Sequence, residues 1–285
     1  MMTNISRSGR HTVPLSVPYR VDIHNAGVDA PDTIDALVAL GALDIDCPRQ
    51  GAITGLMPDR VTPEQVAFAL GVDREAISVS AANGRDEGSV WVLAPRPISV
   101  GRLRIVPDGT DSEPDVLRLV DGPVFGTGLH PTTALCLEVL EEELRIALPD
   151  AVLDVGTGSG ILALAALMLG VPRASAVDID DDALAVAAEN ARINGVAARL
   201  QLTRGGPDAV AGAWPLVLAN VLAAPLIEMA PALVRRIGHQ GLLVLSGIPA
   251  SVEREVAEAY HRLGMHYVRT TSRSGWVAVI MRASW

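Results

Sequence analysis

Apolar positions along the chain follow two patterns that change near residue 95. Up to that point the apolar runs are short, and 19–23, 43–47, 51–56, 77–80 and 89–93 read as strands. Two helical stretches interrupt them. Residues 31–40 carry Pro31 early and Gly41 just past their end, and a second helix opens on Thr62, Pro63 and Glu64 and stops at Gly71. The β-α-β-β-α-β order predicts a small α+β (ferredoxin-like) domain over 19–94. Residues 1–18 have no periodicity and read as a flexible tail.

Residues 95–116 read as a linker: a proline-bounded hinge and strand, PRPISVGRLRIVP, followed by the polar loop PDGTDSEP. From 117 to 285 strand-length apolar runs alternate with helical ones. Strands are expected at 117–120, 151–153, 174–179, 199–204, 216–219 and 241–247, and helices at 134–144, 161–169, 183–193, from near Pro225, and at 250–263. Two further strands, 265–271 and 276–281, close the chain. This alternation predicts a doubly wound sheet.

The chemistry concentrates at strand ends. The apolar run 151–153 ends in Asp154, and Gly156, Gly158 and Gly160 follow before a helix. Strand, glycine loop and helix bring backbone amides up to a ligand in this fold class. The G-x-G-x-G spacing differs from the G-x-G-x-x-G of dinucleotide binders, and Asp154 would repel a pyrophosphate while attracting a cation. Asp178 lies 22 residues after Gly156 (178 − 156), where an acidic residue takes ribose hydroxyls. The neighbouring Asp180, Asp181 and Asp182 read as the favourable start of the next helix. Asn220 closes the run 216–219 and either faces the ligand crevice or caps the following helix.

A third shaped stretch, VFGTGLHPTT over 124–133, offers Thr132 or Thr133 as a helix cap. His130 and Trp276 read as packing residues, and 141–143 as the solvated end of a helix.

Composition removes several classes. With 285 residues and 49% hydrophobic content the chain fills a sizeable core. Net charge is −10 and all 23 basic residues are Arg, which argues against a broad nucleic-acid-binding surface and suits a basic peptide or protein partner. Cys47 and Cys136 are too far apart in sequence to suggest a metal site or a disulfide framework, so no metal is expected. No apolar run is long enough to span a bilayer and residues 1–18 hold no secretory h-region, so a cytoplasmic protein is expected.

The Asp154–glycine loop resembles motif I of S-adenosylmethionine-dependent methyltransferases. FGTGLHPTT, DVGTGSG, VDID and ANVLAAPL, in that order, are together similar to the ribosomal protein L11 methyltransferase family (PrmA) from about Pro97 to the C-terminus. The resemblance implies a Rossmann-like seven-stranded class I methyltransferase sheet over 117–285, with a closing antiparallel hairpin. The cofactor is then S-adenosyl-L-methionine, held by Phe125, Gly126, Thr133, Asp154, Gly156, Gly158, Gly160, Asp178 and Asn220, with Asn220 also aligning the target amine. The implied substrate is a large-subunit ribosomal protein, modified on lysines and its α-amine by a monomeric enzyme. The domain over 19–94 then serves substrate recognition or is a structural extension. Another protein lysine or a small-molecule amine is the alternative acceptor, and an NAD-binding oxidoreductase is the alternative chemistry.

Overall fold

The computed structural model describes residues 19–23, 30–42, 44–46, 53–57, 61–81, 97–109, 116–120, 124–126, 128, 130–273 and 275–285. The expected tail 1–18, the expected strand 89–93, Cys47 and part of the polar loop after Pro107 lie outside the described residues. The chain divides into two compact units, residues 1–89 and 90–285.

In the first unit, β1 (Tyr19–Ile23), β2 (Asp44–Asp46), β3 (Ile53–Met57) and β4 (Ile77–Ala81) form an antiparallel sheet in the order β2-β3-β1-β4. Helices α1 (Ala30–Ala39) and α2 (Pro63–Leu70) intervene in the chain. Thr62 starts α2 with a capping box, its hydroxyl accepting from the Gln65 amide while the Gln65 side chain accepts from the Thr62 amide. Gly71 ends α2 in the left-handed region at φ +65°. Val21, Ile23, Leu37, Met57, Val66 and Ile77 are buried.

The second unit opens with a three-stranded sheet, β5 (Ile98–Val100), β6 (Leu103–Pro107) and β7 (Val116–Leu119), in the order β5-β6-β7. Two of these strands fall in the stretch 95–116 expected as a linker. Val100, Leu103, Ile105, Leu117 and Leu119 pack in one core with α3 (Pro131–Ile146) and α4 (Ile161–Met168).

The main sheet consists of β8 (Ala151–Val155), β9 (Arg173–Asp178), β10 (Leu200–Arg204), β11 (Trp214–Asn220), β12 (Ile237–Pro249), β13 (Met265–Arg273) and β14 (Trp276–Ala283). Its order is β10-β9-β8-β11-β12-β14-β13. The first five strands run parallel, and β14 is antiparallel to both neighbours. Helices α5 (Asp181–Ile193), α6 (Ala223–Val234) and α7 (Glu253–His261) complete the unit. The sheet separates two apolar layers, one shared with α3 and α4, the other with α6 and α7. Strand order reverses between β8 and β11, which opens a crevice at their carboxyl ends. The order and the closing antiparallel hairpin are those that the sequence resemblance implies.

Among the described residues no helix is long and apolar enough to cross a membrane.

Candidate functional site

The residues singled out from the sequence converge where β8, β9 and β11 end. After β8 the chain turns through Gly156, Gly158 and Gly160 at φ of +70°, +54° and +84°, a region where a side chain is strained. Two of these glycines are also required by space. A Cβ on Gly156 would stand 2.4 Å from Val221 Cγ1, and one on Gly158 would stand 2.5 Å from the Phe125 carbonyl oxygen.

The amides of this loop point inward, which corrects the expectation that they are offered to a ligand. Gly156 and Thr157 donate to the Val177 carbonyl, Gly158 to the Asp178 carboxylate, Ser159 to the Phe125 carbonyl and Gly160 to the Thr157 carbonyl. The loop is a satisfied scaffold that fixes the side chains around it.

Asp178 is one of those side chains. It ends β9 half-buried, its Oδ2 accepting from the Gly158 amide at 2.9 Å and its Oδ1 from the Asp180 amide at 3.1 Å. Each oxygen retains a further lone pair, so the carboxylate can still accept from two hydroxyls. Asp180 caps α5 by accepting from the Asp182 amide at 2.9 Å.

Asp154 is 1% exposed, and its Oδ2 accepts from the Thr157 hydroxyl at 2.6 Å and the Ala163 amide at 3.3 Å. Its Oδ1 is buried without a hydrogen-bond partner among the described residues. Burial pushes this carboxyl from 3.8 up to about 6; the two hydrogen bonds act in the opposite direction, and the Asp178 charge adds to the rise. The folded state therefore holds the proton more tightly than the unfolded chain. The group is neutral in both states below about pH 3 and costs stability as pH rises, by roughly 3 kcal/mol once it ionises above pH 6. In urea titrations of Asp154→Asn and its parent, the stability difference should move in favour of the variant by roughly that 3 kcal/mol between pH 3 and pH 7.5. A difference independent of pH would show the carboxylate to be fully compensated.

Asn220 ends β11. Its Nδ2 donates to Thr133 Oγ1 at 3.3 Å, while its Oδ1 is buried without a partner among the described residues. It does not cap α6, which begins at Ala223 with Leu222 in the cap position. Thr133 is left to meet Asn220 because the cap of α3 is His130, which corrects the expectation of Thr132 or Thr133. His130 Nδ1 accepts from the Thr132 amide at 3.3 Å and lies 2.7 Å from the Thr132 hydroxyl. The His130 ring packs edge-on against Phe125 and Trp276, with centroids 5.4 and 5.1 Å away, which agrees with a packing role for both His130 and Trp276.

Phe125 and Gly126 join the cluster through Ser159. The Phe125 carbonyl accepts from the Ser159 amide and the Gly126 carbonyl from the Ser159 hydroxyl.

Some polar residues behave in ways no motif indicates. Asn190 is fully buried and joins β7 to the glycine loop. The signal for it is an Asn inside the last turns of a helix, where Asn is a poor helix former unless its amide is used. Glu141, expected in solvent, is 3% exposed. It accepts from the Arg102 amide and guanidinium at 2.8 Å each and from Arg145 at 2.7 Å, fixing the β5–β6 turn to α3. Burial drives the Cys136 thiol up to about 12, so it is an inert core group. Among the described residues no cluster has the makings of a metal site.

This set of acceptors fits S-adenosylmethionine. Two acceptors buried without partners among the described residues, Asn220 Oδ1 and Asp154 Oδ1, belong to the neighbouring strands β11 and β8, and the half-buried Asp178 carboxylate ends β9 on the other side of β8. Leaving a buried acceptor unmatched costs about 1–3 kcal/mol, which a cationic, hydroxyl-bearing ligand or an amine substrate can recover.

Comparison with known proteins agrees. The family model described as ribosomal protein L11 methyltransferase (PrmA) matches residues 54–284. The ribosomal protein L11 methyltransferase of Methylococcus capsulatus is 45% identical over 277 residues, covering 87% of this chain and 93% of that protein. Its counterpart from Geobacter sulfurreducens is 35% identical over 261 residues, covering 90% and 85%. The crystal structure of a ribosomal protein L11 methylase from Lactobacillus delbrueckii subsp. bulgaricus superimposes with a TM-score of 0.59 at 31% identity, covering 66% of this chain and 98% of that one. On the motifs, the sheet order and these relatives, the chain belongs to the ribosomal protein L11 methyltransferase (PrmA) family and is an S-adenosylmethionine-dependent methyltransferase.

Proposed function

We propose that this enzyme methylates amino groups of ribosomal protein L11, on lysine side chains and the α-amine, as a cytoplasmic monomer that uses residues 19–94 to recognise its protein substrate. The observation that carries the amine chemistry is the buried, unmatched Asn220 Oδ1 at the end of β11. An N–H of the acceptor amine satisfies it, and the names of the relatives supply the substrate.

S-adenosylmethionine brings a methyl group already activated on a sulfonium, so the protein's task is to deliver a neutral amine in line. Asp178 takes the ribose hydroxyls, and Asp154 supplies negative potential to the cationic end. Phe125, Gly126 and Thr133 shape the wall opposite the glycine loop. Asn220, held by Thr133, accepts a hydrogen bond from the amine and thereby points its lone pair. A free lysine titrates near 10.4, so a site that excludes water favours the uncharged form. Asn suits this role because a neutral amide, unlike a carboxylate, does not strongly stabilise the ammonium.

Calorimetric titration with S-adenosylhomocysteine, with NAD as control, should show saturable binding of the first alone. Radiolabelled methyl groups should then appear on lysines and the α-amine of hypomethylated L11. The enzyme contains no Lys, so label recovered as methyl-lysine reports the acceptor only. Binding without transfer to L11, together with transfer to another protein or a small amine, would replace the substrate and keep the chemistry.

A further inference from the structure

The cofactor site has two walls from distant parts of the sequence: the loop 124–128 and the glycine loop 156–160. Their contact is built from complementary groups, and two residues without an assigned role make it. The Ser159 amide donates to the Phe125 carbonyl at 3.0 Å, and the Ser159 hydroxyl donates to the Gly126 carbonyl. Asn190 then spans the joint from behind. Its Oδ1 accepts from the Val120 amide at 2.8 Å, one residue past the end of β7, and its Nδ2 donates to the Ser159 carbonyl at 2.8 Å. Ser159 and Asn190 are 4% and 0% exposed.

The glycines of both loops fit this joint. A Cβ on Gly126 would lie 2.7 Å from Ser159 Oγ, and one on Gly158 would lie 2.5 Å from the Phe125 carbonyl oxygen. Gly126 and Gly158 are thus required where loop meets loop, whatever the ligand. Loop 124–128 is also backed by the small sheet, since a Cβ on Gly128 would meet Ile98 and Ile105 of β5 and β6 at 2.7 and 3.2 Å.

We propose that Ser159 and Asn190 are positioning residues for methyl transfer: they clamp loop 124–128 onto the glycine loop so that the two walls of the cofactor site are assembled before the cofactor arrives. This rests on the functional reading above. Neither residue needs to touch substrate or cofactor. Without the clamp the assembled site is only a fraction of the population, and apparent affinity falls by that fraction. Once cofactor is bound both walls are held in place, so the turnover number at saturation is preserved.

The test compares Ser159→Ala, which removes one hydroxyl, and Asn190→Asp, which keeps the acceptor for Val120 but places an oxygen against the Ser159 carbonyl. Each should raise Kd for S-adenosylhomocysteine and KM for S-adenosylmethionine by about five- to tenfold, with kcat within about twofold of the parent. In the cofactor-free parent, the Val120 and Ser159 amides should exchange slowly with deuterium. A variant with lowered Tm but parental Kd and KM shows a purely structural role and overturns the proposal, as does rapid exchange of both amides in the free parent. If Asn190→Asp does not fold, Ser159→Ala decides alone. Failure of the parent to bind S-adenosylhomocysteine overturns the functional reading and the clamp with it, whereas binding by the parent with both variants unchanged overturns the clamp only.

Discussion

Replacing Asn220 with Ala is expected to lower methyl transfer about a hundredfold or more, while affinity for S-adenosylhomocysteine changes by no more than about threefold. The asymmetry follows from the geometry. Asn220 Nδ2 is engaged by Thr133 and its Oδ1 has no partner among the described residues, so the side chain is oriented but its acceptor is open. An acceptor placed for the amine contributes chiefly when the nitrogen lone pair is being aligned, and losing that alignment by even about an ångström costs about two orders of magnitude. Asn220→Asp separates orientation from charge. The carboxylate keeps an acceptor but favours the ammonium form of the substrate, so transfer should remain low near neutral pH and recover partly as pH rises toward 9. Single-turnover transfer measured beside calorimetric Kd reads both quantities. Full-rate transfer by Asn220→Ala would remove the residue from the amine site.

The parts of the site that were legible in the sequence are those whose logic is local. Asp154, Asp178 and Asn220 each close an apolar run, and the three glycines follow the first of them, where parallel strands end at the crevice of a doubly wound sheet. Local signals also gave the capping of α2 by Thr62 and the closing hairpin β13–β14. What escaped depends on partners far along the chain. Glu141 sits in a run of three glutamates that reads as solvated, yet Arg102, 39 residues upstream, covers it. Asn190 meets Val120 across 70 residues and Ser159 across 31. Strands β5 and β6, short and flanked by prolines, resembled a linker because their burial comes from α3 and α4. The glycine loop was misread in one respect for the same reason: spacing shows that amides are close together, but their acceptors, the Val177 and Phe125 carbonyls, come from elsewhere in the fold.

Asp178→Ala should weaken S-adenosylhomocysteine binding by about a hundredfold or more, because the change removes two functions at once. In the proposed complex the carboxylate accepts both ribose hydroxyls, and hydrogen bonds to a charged group contribute about 1.5–3 kcal/mol each. It also receives the Gly158 amide at 2.9 Å and the Asp180 amide at 3.1 Å, so its loss removes one of the glycine loop's ties to β9 and leaves those of Gly156 and Thr157 to the Val177 carbonyl. The two contributions can be separated. Asp178→Asn retains an acceptor for the Gly158 amide but offers only one oxygen in all, so it should preserve the loop while losing most of the ribose recognition. Binding by Asp178→Asn should therefore fall nearly as far as in Asp178→Ala if the hydroxyls dominate, and stay close to parental if the loop does. Calorimetry with adenosine compounds lacking the 2′- or 3′-hydroxyl completes the cycle: each missing hydroxyl should cost the parent about tenfold or more and cost the Ala variant little. Equal sensitivity of parent and variant to the missing hydroxyls would place ribose recognition elsewhere in the crevice.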